Sequence, residues 1–338
     1  MDVDDPDRGS PGCVVGIGAS AGGVDALTRI VSHLPGDMPA ALLIVLHVPA
    51  TGRSLLAPIL DRRTDLDVRV AEHDDVLEAG RAYVAPPDRH LVVADGRVRL
   101  DRGPKENGAR PAVDPMFRSL AAAYGPRAVG VVLSGALGDG SSGALAIKLA
   151  GGTVIVQDPL DATVRSMPES ASRAVGAPDA VLPTDAIGPA LATLADKRAG
   201  VRDDRAMSGA ADRHKEGPER PAGPPSGYTC PECSGPLWAI GERDVVGYRC
   251  RVGHAYSEDS MIIEQGSAVE AALWSALEAL EERAEFLQGI ADRHGDRRPR
   301  LHDRFERAAQ DALGQAELIR RALGAGEPLH ALDVHAAE

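Results

Sequence analysis

Aromatic side chains make up only 3% of this 338-residue chain. Whatever core it has must therefore be built from alanine, valine and leucine. Basic residues are outnumbered, with 37 Lys and Arg against 50 Asp and Glu and a net charge of −13. That balance leaves no electrostatic footprint for nucleic acid or for an anionic membrane surface. No run of about 18 apolar residues occurs, and no apolar N-terminal stretch follows a positively charged one, so neither membrane insertion nor export is indicated. Cysteine is limited to four residues, too few for a disulfide framework in a chain of this length. What is present is 43% apolar content, enough for one sizeable domain and a smaller one. The expectation is a soluble, acidic, cytoplasmic protein.

The most informative stretch is Val14 to Val24, VVGIGASAGGV. A short β-branched run reads as a buried strand. It breaks at Gly16 and Gly18 into a tight turn before an amphipathic segment, Val24 to Leu34. Gly18-Ala19-Ser20-Ala21-Gly22 is a G-x-S-x-G pattern between strand and helix, the setting in which a serine projects from a strained elbow. The N–H groups of Ala21, Gly22 and Gly23 would then lie near a helix N-terminus, able to stabilise an oxyanion. Two other readings fit the same residues. Gly16-x-Gly18-x-x-Ala21 matches a loose dinucleotide-binding fingerprint, although the next strand, Ala41 to Leu46, runs into His47 and Pro49 rather than an acidic ribose ligand. A glycine-rich turn without chemistry is the third.

Residues 1–12 form a polar leader, for which disorder is expected. From Cys13 to Lys197 short apolar strands alternate with helices. The strands are expected at Val14–Ile17, Ala41–Leu46, Val68–Val70, Ala82–Val84, Ala128–Leu133, Thr153–Val156 and Ala180–Leu182. This pattern predicts an α/β catalytic domain over 13–197, doubly wound about a mostly parallel sheet. His90–Ala94 and Val98–Leu100, split by Asp95-Gly96-Arg97, read as a hairpin inserted at the sheet edge. Residues 198–227 are polar and proline-stiffened, a linker across which few contacts are expected.

In an open parallel sheet, sites form beyond the carboxyl ends of the strands, where Ser20, His47 and Asp139 fall. Nucleophile, base and orienting carboxylate are the three parts that ester or amide hydrolysis by serine needs. Asp139 stands in the glycine-rich turn Leu133-Ser134-Gly135-Ala136-Leu137-Gly138-Asp139-Gly140. Position alone also allows His47 a structural role and Asp139 a turn role. His33, His73 and His90 read as surface or hydrogen-bonded structural histidines.

Together these motifs resemble the catalytic domain of the chemotaxis-receptor methylesterases, the CheB family. GIGASAGG at Gly16 to Gly23 is similar to the family's nucleophile stretch, Leu46-His47-Val48-Pro49 to its histidine motif, and LSGALGDG at Leu133 to Gly140 to its aspartate motif. AYVAPPDRH ending at His90, Arg110-Pro111-Ala112-Val113-Asp114 and Met167-Pro168 follow in the family's order, so the likeness runs from about Val14 to Leu194. It implies Ser20 as nucleophile, His47 as base and Asp139 as its partner, with no cofactor in catalysis. The implied activity is that of a protein-glutamate methylesterase, with a methyl-accepting chemotaxis receptor as substrate and glutamine deamidation (glutaminase activity) through the same intermediate. The family commonly has threonine at Ala21 and methionine at Ala136. It also commonly carries a receiver domain before the esterase; only 13 residues precede Val14, so the phosphorylation switch is expected to lie outside this chain.

Cys230-x2-Cys233 followed by Cys250-x3-His254 supplies three thiolates and one imidazole within 25 residues. That spacing predicts a closed, structural zinc site in a small zinc-ribbon-like module, 228–256. Cys13 reads as a small buried side chain. Residues 257–326 read as a helical hairpin broken at Gly295 and Pro299, and 327–338 as a tail. Its first stripe, Leu273, Leu277, Leu280, Ala284, Leu287 and Ala291, offers a face for a helical partner or a second copy of the chain. Two rivals are an esterase or amidase of the same fold acting on a partner outside chemotaxis, and a non-catalytic interaction protein presenting the zinc module.

Overall fold

A computed structural model describes residues 11–51, 54–199, 221–242 and 245–324. The leader up to residue 10, the linker from 200 to 220 and the tail 327–338 lie outside the described residues. The described chain divides into two compact units, one up to Ser260 and one from Met261.

Seven parallel strands make the first unit's main sheet, in the order β3-β4-β2-β1-β7-β8-β9: β1 (Cys13–Ala19), β2 (Ala40–Leu46), β3 (Asp67–Val70), β4 (Arg81–Val84), β7 (Ala128–Val132), β8 (Thr153–Gln157) and β9 (Ala180–Leu182). Every residue of β1, β2 and β7 is buried. Both sheet faces are covered, which is why these strands read as unbroken apolar runs rather than alternating ones. On one face Val15, Ile17 and Ile44 pack with Leu27 and Ile30 of α1 (Gly23–Val31), Leu60 of α2 (Leu56–Asp61) and Ile187 and Leu191 of α6 (Thr184–Arg198). On the other, Val14, Leu43 and Val132 pack with Met116, Phe117 and Leu120 of α3 (Val113–Tyr124), Ile147 of α4 (Ser141–Leu149) and Ala171 of α5 (Ser166–Val175). The doubly wound α/β class expected from the sequence is the class observed.

Gly16 and Gly18 owe their identity to α3. A Cβ on Gly16 would lie 2.6 Å from Leu120 Cδ1, and one on Gly18 would lie 2.4 Å from Val113 Cγ1. The glycines that mimic a dinucleotide fingerprint thus serve close helix–sheet packing. The hairpin β5 (His90–Ala94) and β6 (Arg97–Asp101) is a separate two-stranded ribbon, not an extension of the main sheet's edge. It packs on α3, and Ser119 Oγ accepts a hydrogen bond from Val93 N at 3.0 Å. Its apolar residues Leu91, Val93 and Val98 satisfy their burial there, so the edge of the sheet is not needed.

The chain leaves β1 toward β2 on one side and returns to β1's other side only at β7. This reversal opens a crevice beyond the carboxyl ends of β2, β1 and β7, the usual ligand position in such sheets.

A four-stranded antiparallel sheet follows, β10 (Pro225–Thr229), β11 (Pro236–Glu242), β12 (Val245–Cys250) and β13 (Ala255–Ser257) in that order. The second unit, from Met261, holds all but the first residues of α7 (Glu258–His294) and all of α8 (Pro299–Gly324), which pair as the predicted hairpin. Leu277, Ala284 and Ala291 of α7 and Ala309, Ala312 and Ala316 of α8 are buried, His294 stacks on Phe305, and Arg320 pairs with Glu281.

Candidate active site

Ser20 and His47 are brought together by strand register. Ala19 and Leu46 form the last pair between β1 and β2, and His47 N adds one more rung to Ala19 O at 3.1 Å. The next residue of each strand is therefore fixed by backbone before any side chain acts. Ser20 N donates to Ser134 O in the loop after β7 at 2.9 Å, which ties the third strand end to the first two. Gly135 is pressed against this elbow: a Cβ there would stand 2.1 Å from Met167 Sδ and 2.8 Å from Ser20 Cβ. Gly22, with φ of 77°, makes the left-handed turn into α1. Gly23 N donates to Ser20 O at 2.9 Å, so of the three amides expected to face an oxyanion this one instead closes the turn. The N–H groups of Ala21 and Gly22 have no backbone acceptor among the described residues.

His47 Nε2 lies 2.6 Å from Asp139 Oδ2. Asp139 is 1% exposed, and five donors surround it. Oδ2 receives His47 and Val113 N at 2.6 Å; Oδ1 receives Asp114 N at 3.1 Å, Gly140 N at 2.9 Å and Asn107 Nδ2 at 3.0 Å. Burial raises the Asp139 pKa, but the hydrogen bond and charge of His47 and the amides of Val113 and Asp114 outweigh it and hold the carboxyl below its ordinary value. An ionised acceptor at Nε2 keeps the ring proton on that nitrogen and leaves Nδ1 with the lone pair. No hydrogen bond joins Ser20 Oγ to the imidazole among the described contacts.

The placement of Asp139 follows from helix-end physics. Ala112, the residue before α3, has no capping side chain, so the first amides of the helix need an acceptor from elsewhere. Asp139 supplies it at the positive end of the α3 dipole. Asp114 returns the arrangement to α4, its Oδ1 accepting from Gly143 N at 2.6 Å. Two buried carboxylates so close cannot ionise equally. Burial and the charge of Asp139 push Asp114 up to about 7, with Arg118 working against them.

Asn107 joins the pair by donating through Nδ2 to Asp139 Oδ1 at 3.0 Å and to Asp114 Oδ2 at 3.1 Å. Sequence reasoning missed Asn107, and took Asp114 only as part of a motif. The one local signal was the Asn107-Gly108 pair, which reads as a turn; both residues do have positive φ, 51° and 72°. The three other histidines weighed from the sequence, His33, His73 and His90, have partners of their own. His33 is exposed and bonds Arg29 O, His73 is exposed and accepts from Leu100 N, and buried His90 sits between Pro104 O and Ala112 N.

Cys230, Cys233, Cys250 and His254 converge at one end of the antiparallel sheet, their ligand atoms all within 4.8 Å of one another. Individual edges measure 3.6 Å for Cys230 Sγ to His254 Nδ1, 3.6 Å for Cys233 Sγ to Cys250 Sγ and 3.5 Å for Cys250 Sγ to His254 Nδ1. A tetrahedron with bonds of about 2.3 Å to sulfur and about 2.0 Å to nitrogen has edges of about 3.5 to 3.8 Å, so the donor set fits such an ion. The far nitrogen, His254 Nε2, lies 2.8 Å from Glu232 Oε2, the carboxylate that commonly orients a ligating imidazole. Cys13 is buried in the first strand, away from this group, and burial raises its thiol pKa to about 11. No described helix is long and apolar enough to cross a membrane.

Comparison with known proteins shows the family. The chain is 40% identical over 193 residues to protein-glutamate methylesterase/protein-glutamine glutaminase 1 of Paramagnetospirillum magneticum, covering 56% of this chain and 50% of the relative. It is 44% identical over 181 residues to the corresponding enzyme 2 of Anaeromyxobacter dehalogenans, covering 54% and 53%. The chain thus spans about half the length of the curated relatives it matches. The crystal structure of the Thermotoga maritima CheB methylesterase catalytic domain superposes with a TM-score of 0.52 at 37% identity, covering 54% of this chain and 98% of that one. The CheB methylesterase profile matches residues 15–191, just over half of the 338 residues, and the chain belongs to the CheB methylesterase family.

Proposed function

We propose that this chain is a cytoplasmic serine hydrolase that removes methyl esters from glutamate side chains of a methyl-accepting chemotaxis receptor. The observation that carries the reading is the His47–Asp139 pair, which leaves Nδ1 as the basic nitrogen beside the strand end bearing Ser20. Ser20 Oγ attacks the ester carbonyl as its proton passes to His47 Nδ1. The oxyanion of the tetrahedral intermediate falls to the N–H groups of Ala21 and Gly22. Collapse of that intermediate breaks the bond to the methoxy oxygen, and the imidazolium returns its proton to release methanol. Water, deprotonated by His47, then cleaves the acyl-enzyme and restores Ser20. With a glutamine side chain the same steps release ammonia, which supports the glutaminase activity in the relatives' names as a second outcome. Asp139 holds the imidazole's orientation and tautomer and stabilises its positive charge.

The Cys230, Cys233, Cys250 and His254 cluster is read as a structural zinc site, since four protein donors leave no open position for chemistry. A fluorophosphonate probe tests the catalytic reading: it should label the chain once, on the peptide containing Ser20. Labelling elsewhere, or none, would overturn it.

A further inference from the structure

The module carrying the cysteines is built into the catalytic aspartate's surroundings. Cys250 N donates to His254 O at 3.0 Å, so the two ligands close the turn that aligns β12 with β13. β13 begins at Ala255, directly after His254, and pairs with β12 through Arg249↔Ala255, Tyr248↔Tyr256 and Gly247↔Ser257. Its other edge is taken by residues 105–107 of the catalytic domain. Glu106 and Ala255 form a parallel bridge, Ala255 N donates to Lys105 O at 3.4 Å, and Asn107 N donates to Ala255 O at 2.8 Å. Ser257 N then donates to Asn107 Oδ1 at 2.9 Å, fixing the orientation of the amide. With Oδ1 held there, Nδ2 is left to face Asp139 and Asp114. Ion pairs secure the same seam. Lys105 Nζ meets Glu232 Oε1 at 2.6 Å, and the other oxygen of Glu232 meets the ligand His254.

We infer that Asn107 is a positioning residue for the His47–Asp139 pair, and that the Cys3His module, by holding Asn107 through β13, makes ester hydrolysis depend on metal loading. The inference rests on the serine-hydrolase and metal-site readings above. Its chemistry is a relay of order. The metal fixes the turn between Cys250 and His254, the turn fixes β13, β13 fixes the Asn107 amide, and the amide supplies the fifth donor of a buried carboxylate whose aim sets the imidazole. Loss of that donor leaves binding of a small ester untouched while degrading proton transfer, so the effect belongs in kcat rather than in KM.

The test uses the full chain, p-nitrophenyl acetate as substrate and a membrane-free assay. Stripping the metal with a strong zinc chelator should lower kcat about tenfold or more with KM within about twofold, and added zinc should restore it. Asn107→Ala should lower kcat comparably and make it insensitive to the chelator, because both changes cut one relay. Ser257→Pro removes the N–H that holds the Asn107 amide together with the hydroxyl that accepts from Ser260 N, and should lower kcat well below that of Ser257→Ala, which loses the hydroxyl alone, while zinc content stays at the wild-type level; the pair decides the matter should stripping or Asn107→Ala melt the α/β domain. Unchanged kcat in stripped enzyme or in Ser257→Pro would overturn the inference, as would losses in stripped enzyme and Asn107→Ala that multiply. Ser20→Ala run alongside separates the readings. Retained turnover there would overturn the serine mechanism itself, whereas a dead Ser20→Ala with a fully active stripped enzyme would overturn the relay alone.

Discussion

The two sheets of the first unit hold their functional residues by opposite means. In the parallel sheet, β1 and β2 are buried along their whole length, and Ser20 and His47 are simply the next residues beyond a ladder that burial has already fixed. In the antiparallel sheet, four of the five residues of β10 are exposed, and order is concentrated where Cys230, Cys233, Cys250 and His254 meet. On the proposed metal-site reading, ligand bonds do in the second what apolar area does in the first, because about 30 residues cannot bury enough surface to fold alone. A consequence is that damage spreads differently. A packing change in the α/β domain is felt over a contiguous core, whereas on that reading loss of one ligand should remove most of the module's support at once.

Asp139→Asn is expected to lower turnover by about 10⁴, as the equivalent change does in serine proteases, since an amide can donate to the imidazole and favour the wrong tautomer. Stopped-assay kcat on a methyl ester checks this, and a loss below about tenfold would assign the orienting role elsewhere. Cys233→Ser should take the metal content from about one zinc per chain to near none, read by elemental analysis of protein purified without chelator. Full zinc retention would remove Cys233 from the ligand set.

Gly18→Ala probes the other kind of support. Its Cβ would meet Val113 Cγ1 at 2.4 Å, so α3 must move and with it the Val113 amide that binds Asp139. A loss of about 1 to 3 kcal/mol in denaturant unfolding is expected, with a fall in kcat beside it. Stability equal to wild type would mean the close packing is not needed.

The smallest effect concerns pH. The Asp114 carboxyl is raised from its ordinary 3.8 to about 7, so the folded state binds a proton more tightly than the unfolded one. That contribution is fully present below about 4 and is lost as pH rises toward 7. Asp139 has the opposite sign, its contribution being present above its ordinary value and lost as pH falls through the lower folded value. The stability of wild type minus that of Asp114→Asn should therefore fall between pH 4 and pH 7.5. A flat or rising difference would contradict the assignment.

Much of this architecture is written in local pattern. Unbroken apolar runs marked β1, β2 and β7, because strands buried on both faces have no polar positions to confuse the signal. Gly295 and Pro299 marked the break between the two long helices for an equally local reason. Asn107 was not legible, since its role depends on residues from 114, 139 and 257 meeting in space, while its own neighbourhood says only that the chain turns. The seam between residues 105–107 and β13 was hidden for a related reason: the polar stretch 198–227 suggested that few contacts cross it, and composition cannot report a strand edge met by a distant loop. The hairpin β5–β6 was recognised but placed at the sheet edge. Its alternation identified a half-buried ribbon without saying that α3 would cover it.

The most direct measurement of the central claim is methanol release from a methyl-labelled chemotaxis receptor incubated with the full chain, with Ser20→Ala as the paired control. Steady release is expected from the wild-type chain and none above background from Ser20→Ala, whose fold should be unchanged because only a hydroxyl is removed from a turn. Release by Ser20→Ala at the wild-type rate would contradict the account.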